Sequence, residues 1–249
     1  MKKFIIASAA LLFASACVLN AQKPYTKTFS MDDVIPNATG WSYWFIPTGS
    51  VADTLNVKMS CLNNAGLSSH DPHRHPHHEL FILLEGDAII QVNGEDHEFH
   101  TGDGCICPGN SAHSLRKSDP DVPIRYLMFN TEAARPGLKK PLPFFKESYT
   151  AEDCYVASQK KSFWYLTPEQ TCGGLNVRSV LMKGKKTAEY AAENKQLIFV
   201  ILEGTAKVTV DGSIVELPAM SVCYVPRGSS SSISAVTKQM RYLQVRTQE

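Results

Sequence analysis

Two stretches of this 249-residue sequence are versions of one another. "SYWFI" at Ser42 returns as "SFWYL" at Ser162, and "LNVK" at Leu55 returns as "LNVR" at Leu175, both 120 residues on. "FILLEGDAIIQVNG" at Phe81 returns as "FVILEGTAKVTVDG" at Phe199, now 118 residues on, so the second copy has lost two residues between these blocks. From residue 81 to 108 the gapless match holds ten identities in 28 positions, and "RYL" at Arg125 and Arg241 closes each copy. Self-similarity at a fixed period means two structural units of one kind.

The units are built from short β-branched and aromatic runs cut by turns. "VNGED" and "VDGSI" carry Asn-Gly and Asp-Gly, the pairs that supply positive φ to two-residue hairpins. No helical period persists for three turns in either copy, so two all-β units of about 90 residues are expected, each a sandwich or barrel. The division reads as residues 1–21, an N-terminal segment 22–40, a first unit 41–132, a connection 133–161 and a second unit 162–249. The connection is rich in proline and lysine, with a short helix expected from Ala151.

Residues 1–21 have the composition of a signal peptide. Lys2 and Lys3 precede an apolar run from Phe4 to Phe13 that is too short to span a bilayer, and no acid occurs before Asp32. Cleavage after Ala21 in "LNAQ" is preferred. The alternative, before Cys17 in "ASAC", would leave a lipid anchor on that cysteine, but Ala14 is a poor fit to a lipobox. Either cut makes the mature chain periplasmic or otherwise exported. Losing this segment takes Lys plus Arg from 25 to 23 against 24 acids, which argues against nucleic acid as a partner. Cys61, Cys105, Cys107 and Cys223 lie in apolar runs and read as small core residues. Cys154 and Cys172, in polar connecting sequence, are the pair that an oxidising compartment would bridge, if any.

"HDPHRHPHHE", residues 70–79, holds five of the eight histidines. In an extended strand His73 and His75 share a face while Arg74 points away. Pro76 lacks a backbone donor and bends the chain before a strand starting at Glu79, whose carboxylate can face back toward the imidazoles. A fourth ligand is expected from His113 in "GDGCICPGNSAHSL".

At these residues the chain resembles the cupin superfamily. His73, His75, Glu79 and Gly86 meet the family's first motif, and Gly102, Pro108 and His113 its second. Asn110 and Lys117 stand where glycine and asparagine are usual, and the spacing from Gly66 to His73 is one residue long; Asn tolerates the left-handed backbone the turn needs. The resemblance implies two tandem cupin (double-stranded β-helix, jelly-roll) barrels, with one divalent transition metal ion (Fe, Mn, Ni, Cu or Zn) held by His73, His75, Glu79 and His113. His70, His77 and His78 are secondary candidates for acid or base roles, read first as solvated mouth residues, and Arg74 is one for holding a carboxylate if the bend turns it inward; His97 and His100 read as surface strand residues.

At a shift of 118 the four ligand positions become Ala191, Glu193, Leu197 and Ser231, so the second copy is expected to be a degenerate partner barrel without metal. The aromatic pairs Tyr43 with Trp44 and Phe163 with Trp164 recur in both copies and are expected in the core or between the barrels. Phe81, Cys107, Tyr126 and Met128 are expected to line the first cavity. Taken with the leader segment, the resemblance implies an exported enzyme of small metabolites, monomeric or homodimeric, similar to dioxygenase-like or sugar-processing isomerase and lyase cupins. A non-catalytic metal-dependent protein that binds a small ligand is the alternative.

Overall fold

Runs that alternate inward and outward side chains, closed by glycine turns, leave the strand as the dominant regular element. The computed structural model describes residues 24–52, 55–64, 66, 71–131, 145–147, 155–157, 160–167 and 175–247. The first strands are β1 (Tyr25–Thr28), β2 (Ile35–Asn37), β3 (Gly40–Ile46), β4 (Leu55–Leu62) and β5 (His78–Glu85). They continue as β6 (Asp87–Val92), β7 (Glu95–His100), β8 (Gly104–Cys107), β9 (His113–Lys117) and β10 (Ile124–Thr131). Two short strands follow, β11 (Phe145–Glu147) and β12 (Tyr155–Ala157). The rest are β13 (Lys160–Leu166), β14 (Leu175–Lys183), β15 (Thr187–Tyr190), β16 (Gln196–Glu203), β17 (Thr205–Val210), β18 (Ser213–Pro218), β19 (Ser221–Val225), β20 (Ser231–Ala235) and β21 (Gln239–Thr247). Residues 155–157 are extended, so the helix expected from Ala151 does not run through them.

All named pairings are antiparallel. One seven-stranded sheet runs β11-β8-β5-β10-β4-β3-β2 and the other β1-β19-β16-β21-β14-β13-β12, the same order position for position. Smaller sheets, β7-β6-β9 and β15-β20-β17-β18, accompany them. The outermost strands are exchanged along the chain. β1, at the N-terminus, pairs with β19 in the C-terminal half, and β11, from the connection, pairs with β8 in the N-terminal half.

Alternation sorts the side chains. Tyr43, Phe45, Val57, Met59, Leu80, Ile82, Leu127 and Phe129 meet Phe163, Val177, Ile198, Val200, Val222 and Leu243 in one core shared by the two large sheets. The opposite faces close two further cores, one per half. The recurring aromatic pairs therefore split in the first half: Tyr43 is buried in the shared core, while Trp44 faces the other way. The hairpins turn as the sequence requires, with φ of 53° at Asn93 and 89° at Gly94, and 46° at Asp211 and 85° at Gly212. Cys61, Cys105, Cys107 and Cys223 are buried free thiols. Among the described residues no helix is long and apolar enough to cross a membrane. Cys17, Ala21, His70, Cys154 and Cys172 lie outside the described residues.

Candidate metal centre

Strand β5 places the acid. Leu80 and Ile82 enter the shared core, so Glu79, Phe81 and Leu83 take the other face. The segment before it meets β9 through one bridge, in which His73 N–H donates to His113 O at 3.2 Å and His113 N–H returns to His73 O at 3.0 Å. Residues opposite one another in such a bridge share a face, and the two rings lie 4.6 Å apart. Pro76 cannot extend the ladder. The chain turns there, pinned by Asn110 N–H donating to His75 O at 2.7 Å. Asn110 itself sits at φ 66°, keeping the turn without glycine.

One ligand atom from each of His73, His75, Glu79 and His113 lies within 4.8 Å of the others. Glu79 and His113 are buried, His75 is half-buried and His73 exposed. His75 Nδ1 donates to His77 O at 2.9 Å and His113 Nδ1 to Ser111 O at 3.0 Å. A carbonyl can only accept, so both rings carry their proton on Nδ1 and turn Nε2 toward the cluster, where a neutral ring offers a lone pair. His75 Nε2 is buried without a hydrogen bond, 3.3 Å from Glu79 Oε1, and His113 Nε2 lies 3.0 Å from Glu79 Oε2. A buried nitrogen left in this state calls for a partner. The donor set, three imidazoles and one carboxylate on oriented rings, can coordinate a divalent transition metal and does not choose which.

Burial alone would raise the Glu79 carboxyl, but the adjacent His113 and His75 imidazoles outweigh it and hold it well below the usual carboxylate range. Burial likewise disfavours charge on His75, and the Glu79 carboxylate outweighs it, raising that imidazole. Burial pushes His78 down, helped by His77 and His75.

The secondary candidates separate. Arg74 is exposed and reaches Asn110 O at 3.4 Å, away from the cluster. His77 stacks on His75 with centroids 3.7 Å apart, and its Nε2 stands 3.8 Å from Glu79 Oε1. His78 is buried, not solvated: as the first residue of β5 its Nδ1 accepts from Gly109 N–H at 2.8 Å, which ties the bend to the Pro-Gly turn. His100 is exposed and His97 half-buried on β7.

A cavity of about 440 Å³, a size typical of small-molecule sites, opens beside His73, Glu79 and His113. Phe81, Tyr126 and Met128 line it as expected. Cys107 is packed into the core instead. Burial pushes the Tyr126 hydroxyl up to about 12, a hydrogen bond with Ser60 opposing and the Glu79 charge assisting. Trp44 and Lys58 also line the cavity, and sequence reasoning missed both. The available signal was a lone cation inside the apolar run "LNVKMSCL", answered by Arg178 in the other copy.

In the C-terminal half, Glu193, Leu197 and Ser231 stand where His75, Glu79 and His113 do. The place of His73 is taken by Tyr190, not by Ala191 as a uniform shift implies. Tyr190 faces Ser231 across β15 and β20 as His73 faces His113, while Gly228 N–H donates to Glu193 O as Asn110 N–H does to His75 O. The intervening bend is one residue longer in the second copy.

A family profile described as Cupin domain matches residues 63–130. No curated protein sequence matches the chain. Among solved structures, protein Ylba from E. coli is 10% identical with a TM-score of 0.73, over 95% of this chain and 96% of that one. A deletion mutant of Bacillus subtilis oxalate decarboxylase is 13% identical with a TM-score of 0.71, over 89% and 76%. Salicylate 1,2-dioxygenase from Pseudoaminobacter salicylatoxidans, in a gentisate adduct, is 15% identical with a TM-score of 0.70, over 92% and 81%. The chain has a cupin-type β-strand fold, and its three-histidine, one-glutamate cluster can hold a divalent metal.

Proposed function

We propose that the chain is an exported bicupin enzyme with a single metal site, acting on a small organic metabolite by dioxygenase-like chemistry. In this reading 1–21 is removed, 41–132 and 162–249 are the two barrels, and His73, His75, Glu79 and His113 hold the ion. The observation that carries it is the convergence of oriented imidazole Nε2 atoms and Glu79 at the wall of a cavity, since a purely structural metal needs no such access. The matching order of the two large sheets supports the two-barrel reading, and the replacement of the ligand positions by Tyr190, Glu193, Leu197 and Ser231 supports a single site. A metal bound there supplies Lewis acidity and, if redox-active, oxygen chemistry. The chain's own residues orient the ligands through His77 O and Ser111 O, exclude water with Phe81 and Met128, and place the Tyr126 hydroxyl on the cavity wall. The fold likeness to a salicylate 1,2-dioxygenase favours oxygen chemistry over a sugar isomerase or lyase activity.

Elemental mass spectrometry of the untagged mature chain, beside His113→Ala, tests this reading. About one metal per chain, lost in the variant, is expected. Two per chain would overturn the single site, and none after reconstitution would leave no enzyme of this kind. Oxygen uptake with small aromatic and sugar acids then separates an enzyme from a binding protein. The intact mass of the exported chain separates cleavage after Ala21 from lipidation at Cys17.

A further inference from the structure

Among the described residues the cavity holds one cation, Lys58, and its setting identifies what it is for. Lys58 lies on β4, where alternation sends Val57 and Met59 into the shared core and Lys58 and Ser60 into the cavity. Its Nζ stands 5.3 Å from the Trp44 ring centroid, and among the described residues it has no hydrogen bond and no ion pair. Arg178, at the matching position of the other half, is placed over Trp164 at 5.1 Å in the same way. That cation has a side-chain acceptor: Arg178 Nη2 donates to Gln244 Oε1 at 2.5 Å. Gln244 corresponds to Met128, which offers Lys58 no acceptor. The half with the open cavity therefore keeps a cation on the same aromatic platform but lacks the side-chain acceptor that Gln244 supplies in the other. A partly desolvated ammonium without an acceptor is costly unless a ligand supplies one.

Charge points the same way. Of the described residues lining the cavity only Lys58 and Glu79 carry formal charge. A divalent ion with one carboxylate ligand keeps one positive charge, and Lys58 adds another. Phe81, Leu62, Leu115 and Met128 make the remaining wall apolar.

Resting on the metal-site reading above, we propose that Lys58, set on Trp44, binds the carboxylate of an organic acid in this cavity, and that the substrate class is small carboxylic acids with an apolar or aromatic skeleton. Lys58 takes one carboxylate oxygen, and the hydroxyls of Ser60 and Tyr126 are the neighbouring donors.

The test compares 2-hydroxybenzoate with its neutral isostere 2-hydroxybenzamide by titration calorimetry on zinc-loaded and metal-free chain, in wild type, Lys58→Met and Lys58→Arg. Zinc is redox-silent, so binding is read without turnover, and metal content is measured on every sample. The wild type should prefer the carboxylate by about tenfold or more, as expected for one charge-assisted hydrogen bond. Lys58→Met should bring the preference to within about twofold at unchanged metal content, and Lys58→Arg should keep most of it. A preference of equal size in Lys58→Met would assign it to the metal alone and overturn the proposal. Binding of neither probe to the wild type would overturn it as well. Failure to load zinc would instead sink the metal reading, and the metal-free arm would still decide whether Lys58 selects the carboxylate.

Discussion

The Tyr190 hydroxyl lies 2.9 Å from that of Tyr242, and both rings pack against Phe199. Tyr190 holds the register position that belongs to His73 in the other half. Where one half gathers imidazoles around a cavity, the other fills the corresponding interior with an aromatic pair.

That pair should behave as a unit. Tyr190→Phe or Tyr242→Phe alone leaves one buried hydroxyl without its partner and should cost about 1–3 kcal/mol, while the double variant should cost less than the sum. Urea unfolding of the four proteins gives the coupling directly.

Gly109 should tolerate no side chain. A Cβ there would lie 2.3 Å from Pro76 O, and the same residue's N–H holds His78. Gly109→Ala is expected to cost about 1–3 kcal/mol through overpacking. It should also weaken metal binding about tenfold or more by displacing the bend that presents His75. Thermal unfolding and a competitive chelator titration read the two effects separately.

Removing the metal should lower stability. At a free metal concentration of about 100 times its dissociation constant, binding to the folded state alone contributes about 2.7 kcal/mol. A chelator should therefore lower the melting temperature of the wild type and leave His113→Ala unmoved. An equal drop in both would mean that the stabilising ion sits elsewhere.

Tyr126 predicts an alkaline effect with a definite sign. Its hydroxyl is raised from 10.0 to about 12 in the folded chain by burial. The folded state thus holds this proton more tightly than the unfolded one. The contribution is fully present below pH 10 and is lost as pH rises toward 12, on the order of a few kcal/mol. The difference in stability between wild type and Tyr126→Phe should shift by roughly this amount across that window, measured by denaturant titration at fixed salt.

The parts of this molecule legible in the sequence are those fixed by short-range rules. Hairpin pairs such as Asn93-Gly94 carry their own φ, and the spacing of His73, His75 and Glu79 follows strand alternation through one proline bend. His113 is legible because its turn keeps a recognisable spacing. Long-range and compensatory features are not. Nothing in "YTKT" says that β1 will pair with β19. A gapless comparison hides the extra residue that moves Tyr190 opposite Ser231, and only the packed structure shows that Lys58 lacks the acceptor that Gln244 gives Arg178. His78 reads like one more exposed histidine because its burial depends on Gly109, 31 residues away.

The pairing of β1 with β19 also sets an order of events. Tyr25 and its register partner Tyr224 are about 200 residues apart, a separation that makes their pairing a late step. During synthesis Tyr25 emerges well before Tyr224 and cannot pair with it until then. Until β19 is made, β1 lacks its register partner. A chain truncated before β19 would leave β1 without its partner strand, so this pairing reports that the chain has been made at least as far as Val225.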